Sequence, residues 1–96
     1  MSSREEIMGA VCEEFGVSEE QLVSRDRHQN IAIARAVLMF LLALQTRDSY
    51  TEIGRYLGNR HRSTVRNGVV AMEDEINVSP PVARQVTAIV KRLEPA

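Results

Sequence analysis

The run from Ser49 to Val70, SYTEIGRYLGNRHRSTVRNGVV, admits few folds. Ser49, with Glu52 three residues on, makes a capping box that starts a helix. Ile53 and Leu57 stand one turn apart and give that helix an inward face. Gly58-Asn59 then closes it, because both residues tolerate positive φ. A second apolar stripe follows at once, with Val65, Val69, Met72 and Ile76 at i, i+4, i+7 and i+11. The pattern predicts a helix-turn-helix whose second helix runs from about Arg62 to Ile76. The turn and the start of that helix carry Arg60, His61, Arg62, Ser63 and Thr64, an array of cations, hydroxyls and an imidazole.

The rest of the chain reads as helix too, with no sustained alternation of β-branched residues. Ser3 with Glu6 opens a helix that buries Ile7, Val11 and Phe15, and Gly16 ends it at the C′ position. Ser18 with Gln21 starts a single turn through Leu22 and Val23. A polar connector over 24–29 precedes the longest helix, from Asn30 to about Thr46, with Ile31, Ala34, Leu38, Leu41 and Leu42 inward. Asn77 is a candidate left-handed stop for the recognition helix. Ser79 is the expected cap of a last helix with Pro80 and Pro81 in its first turn, where missing N–H groups cost little. Val82, Val86, Ile89, Val90 and Leu93 form its apolar face. The expected fold is all-α, a bundle of five to six helices containing the helix-turn-helix, in a single domain over residues 1–96.

Bulk properties exclude several classes. The longest apolar run, nine residues from Ala36 to Leu44, is too short to cross a membrane. No basic start precedes an apolar h-region, so a secretory signal is not expected and a cytoplasmic protein is the default. Cys12 is the only cysteine; between Val11 and Phe15 it reads as a small core hydrophobe. The net charge of −1 conceals an asymmetry. Residues 1–24 set Arg4 against six Glu, giving −5, whereas residues 25–66 set eight Arg against Asp26, Asp48 and Glu52, giving +5. Eleven of the twelve cations are Arg, the residue that forks best onto phosphate and guanine edges.

No catalytic residue, metal site or cofactor is expected. His28 and His61 have no partner at metal-ligand spacing, Cys12 has no cation beside it, and no glycine-rich nucleotide loop occurs. Binding of double-stranded DNA accounts for more of the chain. Arg60 precedes the second helix, and Arg62, Ser63, Thr64, Arg66 and Asn67 fill its first turns. With Val65 and Val69 inward, the outward set is Arg62, Ser63, Arg66, Asn67 and Val70, with Thr64 at the edge. Arg62 is suited to guanine O6 and N7, and Thr64 to a base or phosphate. Ser63 or Thr64 serving as the helix's own cap is the alternative for those hydroxyls. Arg25, Arg27 and His28 form a second basic patch, able to follow phosphates or to set Arg27 in a minor groove. The bland reading of that patch is a solvated loop with Asp26 paired locally. Arg35, two turns into the long helix, points toward the same backbone.

SRDRHQNIAIARAVLMFLL and TEIGRYLGNRHRSTVRNGVVAMEDEI together resemble the C-terminal DNA-binding domain, domain IV, of the bacterial replication initiator DnaA, within the Trp-repressor-like helix-turn-helix superfamily. The first resembles that family's basic loop and long helix. The second resembles its signature E-I-G-x-x-F-G-G-R-D-H-S-T-V-x-H-A-x-x-K-I, without a gap from Ile53 to Val65. The resemblance implies a minor-groove role for Arg27, a DNA contact for Arg35, and major-groove positions for Ser63 and Thr64, with Arg60 nearby; the residues themselves add His61 to the set expected at bases and phosphates. It also implies a link to replication-origin binding or its regulation. Departures fall on the DNA-facing side: His61-Arg62 replaces Asp-His, Asn67 a second His, Ala36 a Gln, Asn59 a Gly and Gly68 an Ala. They predict a kept backbone grip with altered base recognition.

Two other readings share the fold. One is a protein-interaction module that has lost DNA. The other is a small homodimeric regulator using the last helix as its interface.

Overall fold

A computed structural model describes residues 2–95. Six helices occur in the order α1 (Arg4–Phe15), α2 (Glu19–Val23), α3 (Gln29–Gln45), α4 (Tyr50–Tyr56), α5 (Arg62–Val78) and α6 (Pro80–Leu93). No strand occurs among the described residues.

Local chemistry sets most of the boundaries. All three Ser-x-x-Glu/Gln capping boxes form, at Ser3, Ser18 and Ser49. In each, the serine hydroxyl and the third-residue side chain each satisfy a backbone N–H that the helix leaves without a partner. Gly16 ends α1 with φ 65°. Two boundaries differ from expectation. Asn77 is helical, and its Nδ2 donates back to the Glu73 carbonyl at 3.1 Å. The stop falls at Ser79, because Pro80 pushes the residue before it out of the helical region. Ser79 holds the N-cap position of α6, but its side chain makes no cap bond. Pro81, at N2, has removed one of the two donors such a cap serves.

α3 lies at the centre, packed on α1, α2, α4 and α5, while α6 closes the bundle against α1 and α5. Val37, Leu38, Leu41 and Leu42 of α3 are fully buried with Ile7 and Val11 of α1, and with Ile53, Leu57 and Val65 of the helix-turn-helix. α2 is too short to persist alone. Leu22, fully buried, anchors it, and such burial contributes about 1.5–3 kcal/mol. Cys12 is half-buried at the core's edge rather than inside it, and burial pushes its thiol pKa up. The apolar face of α6 is used within the protomer, with Val82, Val86 and Ile89 buried.

The α4–α5 turn depends on two glycines. Arg60 N–H donates to the Gly54 carbonyl at 2.8 Å, folding the turn back over α4. A Cβ on Gly54 would lie 2.0 Å from the Arg60 carbonyl oxygen. Gly58 and Asn59 take φ of 77° and 60°, as the turn dipeptide requires. α5 then crosses α3 closely: a Cβ on Gly68 would sit 2.8 Å from Met39 Sδ. That contact gives the helix-interior glycine a packing reason.

Candidate nucleic-acid interface

The exposed face of α5 matches the outward set. Arg62, Ser63, Thr64, Arg66, Asn67 and Val70 are all exposed, while Val65, Val69 and Met72 are buried. Arg62 and Arg66 make no hydrogen bond or ion pair within the described residues. Neither Ser63 nor Thr64 caps the helix. His61 does: its Nδ1 accepts the Ser63 N–H at 3.1 Å and lies 2.8 Å from Ser63 Oγ. That role requires an unprotonated Nδ1. It leaves the Thr64 hydroxyl unengaged by the cap.

The arginines of the sequence pattern divide into two groups. Arg35 and Arg60 face the protein's own backbone. Arg35, only 9% exposed, donates from Nε to the Leu22 carbonyl (2.7 Å) and from Nη1 to that of Asp26 (3.0 Å). Its Nη2 reaches Gln21 (2.9 Å) and Ser24 (3.1 Å). Burial lowers its pKa. Arg60, half-buried, donates to the carbonyls of Val23 (3.3 Å), Leu57 and Ser24. Burial first, then the charges of Arg35 and Arg25, pull its pKa down to about 10, still well above neutrality. Both guanidiniums, expected from the sequence to face DNA, here donate to carbonyls of the α2 end and the following loop, and Arg60 also to that of Leu57 at the end of α4. A sequence does not show this, because Arg serves equally well on a phosphate or on backbone acceptors.

Arg25 is intermediate in role. It is exposed, and its Nη2 donates to the Gly58 carbonyl at 3.1 Å, joining the basic loop to the α4–α5 turn. Arg27 is exposed and makes no hydrogen bond or ion pair within the described residues. His28 is paired with Asp26, whose carboxylate accepts the His28 N–H and contacts its ring. Those bonds hold the Asp26 pKa below the usual carboxylate value.

The loop, α3 and the start of α5 enclose a groove of about 560 Å³. Arg25, Arg27, Arg35 and Arg60 line it with His61 and Thr64, over a floor of Ala32, Ala36, Met39 and Gly68. No carboxylate lines it; Asp26, which interacts with Arg35, lies nearby in the loop, and four arginines against it leave the groove positive. A second cleft, of about 420 Å³, lies across the turn and shares Asn59, Arg60 and His61 with the groove. Arg55, absent from the sequence-predicted set, lines it with Thr51 and Arg62. The signal was available: Thr51 and Arg55 are spaced i, i+4, on one face of α4. Among the described residues no group of His, Cys, Asp and Glu is arranged to hold a metal. Among the described residues no helix is long and apolar enough to cross a membrane.

Comparison with known proteins agrees with this architecture. The model of the bacterial dnaA protein helix-turn-helix family matches residues 4–71. The chromosomal replication initiator protein DnaA of Chloroflexus aggregans is 36% identical over 92 residues, covering 96% of this chain and 19% of the relative. That of Oleidesulfovibrio alaskensis is 39% identical over 88 residues, covering 92% and 19%. The chain thus spans about a fifth of the length of the curated relatives it matches. Family model and relatives together show that the chain belongs to the DnaA C-terminal helix-turn-helix family, domain IV.

Proposed function

We propose that the chain binds double-stranded DNA with sequence specificity, α5 lying in the major groove and the basic loop 24–29 against the adjacent backbone or minor groove. The observation that carries this reading is the exposed row Arg62, Ser63, Thr64, Arg66 and Asn67, with both arginines unpartnered, beside a groove without carboxylates. Arg62 reads a guanine edge and Thr64 a base or phosphate. Arg27, free at the loop's tip, holds the flank. Arg35 and Arg60 fix where that loop sits.

The relatives are named as chromosomal replication initiators, which supports a target at a replication origin or in its regulation. The altered pair His61-Arg62 supports a base preference different from the family's usual one. No cofactor enters this reading, and the site of action is cytoplasmic. Because the apolar face of α6 is buried within the protomer, the reading favours a monomer on DNA over a two-fold dimer.

A salt titration of duplex binding tests it. Several phosphate contacts predict a steep, linear fall of log affinity with log salt. Binding to a protein partner with no affinity for duplex contradicts it.

A further inference from the structure

The groove beside Arg27 accounts for one flank of α5. The cleft on the other side of the turn has its own chemistry. Thr51 and Arg55 lie one turn apart on α4, Arg62 stands across from them at the start of α5, and no carboxylate lines the space. Arg55 is exposed and makes no hydrogen bond or ion pair within the described residues. Glu52, the nearest acid on α4, is engaged by the Ser49 backbone N–H. Arg60 lines the cleft too, but its Nη1 and Nη2 are engaged by the carbonyls of Val23, Ser24 and Leu57, so it contributes chiefly charge.

The cleft therefore offers one free guanidinium fork and one hydroxyl donor on a single helix face, in the field of two further arginines. That set suits a phosphate: the fork makes paired charge-assisted bonds and the hydroxyl adds a third. The exposed residues of α5 begin at the cleft's rim, so a duplex engaged by α5 passes it. We propose that Arg55 and Thr51 form a phosphate site for the DNA backbone, on the side of the turn away from Arg25 and Arg27. This rests on the DNA-binding reading above. The contact positions the protein and reads no base.

The test compares the chain with its R55A, R55K and T51V variants, titrated with salt against a labelled random-sequence duplex. Arg55 is exposed and unpartnered, so R55A is expected to fold; matched thermal unfolding establishes this. R55A should reduce the magnitude of the log affinity–log salt slope by about 0.9, the value of one lost phosphate contact. R55K should restore the slope while leaving binding weaker, since an ammonium keeps the charge and loses the fork. T51V should weaken binding without changing the slope. An R55A slope equal to that of the unsubstituted chain overturns this proposal alone. Absence of salt-dependent duplex binding by the unsubstituted chain overturns the DNA reading with it.

Discussion

Arg35 of α3 and Arg60 of the α4–α5 turn donate to the same carbonyl, that of Ser24. Two elements 25 positions apart in sequence thereby grip the segment leading into the basic loop. With Arg25 donating to Gly58, the loop and the α4–α5 turn that leads into α5 are held in one frame. On the proposed reading, affinity for a duplex should depend on that frame, because Arg27 and Arg62 would meet different parts of one helix at once.

Arg60→Met should therefore destabilise the fold. It leaves the carbonyls of Val23, Ser24 and Leu57 without a shared donor. Hydrogen bonds to a charged group contribute about 1.5–3 kcal/mol, and the loss should fall in that range. Arg60→Lys should recover only part, since an ammonium lacks the planar fork. Urea unfolding at neutral pH measures this, and an unchanged midpoint for Arg60→Met contradicts the clamp.

Much of this arrangement was legible in the sequence because it is local. Three Ser-x-x-Glu/Gln boxes, Gly16 and Gly58-Asn59 act through their immediate neighbours, and each appears where the spacing places it. The stripe Val65, Val69, Met72 likewise sets which face of α5 is left for solvent. The inward turn of Arg35 and Arg60 was not legible. It depends on carbonyls 9 to 14 positions away for Arg35, and up to 37 away for Arg60. Asn77 misled for a different reason: its own preference for a left-handed stop gave way to the stronger constraint from Pro80.

Gly54 offers a purely steric test. A Cβ there meets the Arg60 carbonyl oxygen at 2.0 Å, and backbone cannot swing aside as a flexible side chain can. Gly54→Ala should open the turn and cost at least about 1–3 kcal/mol, the usual range for overpacking. Thermal unfolding should show it as a lower midpoint. An unchanged midpoint means that the turn is looser than described.

Acid should weaken the two capping boxes closed by Glu, at Ser3 and Ser49. The Glu52 carboxylate is held below its usual pKa, first by the Ser49 backbone N–H and then by the Ser49 side chain; Glu6 is held likewise by Ser3. A depressed folded-state pKa contributes stability above the unfolded pKa that is lost as pH falls through the folded value. Glu52→Gln keeps an acceptor for the Ser49 N–H and removes the titration. Its thermal midpoint should fall less than that of the unsubstituted chain between neutral pH and about pH 3. Parallel curves contradict this assignment.

Arg27 and Arg62 should separate grip from reading. Arg27→Ala and Arg62→Ala should both weaken duplex binding. Only Arg62→Ala should relax preference at a base position, by about 1–3 kcal/mol of discrimination. Competition between matched and single-substitution duplexes resolves the two. An unchanged preference in Arg62→Ala would mean that the start of α5 does not lie over the bases.

The most direct test of the account is selection from a random pool of double-stranded DNA at near-physiological salt, read by sequencing. The account predicts enrichment of a defined motif, with Arg62→Ala degrading it at one position. Absence of enrichment, together with no salt-sensitive binding to bulk duplex, would contradict a DNA-reading role for α5 and the basic loop.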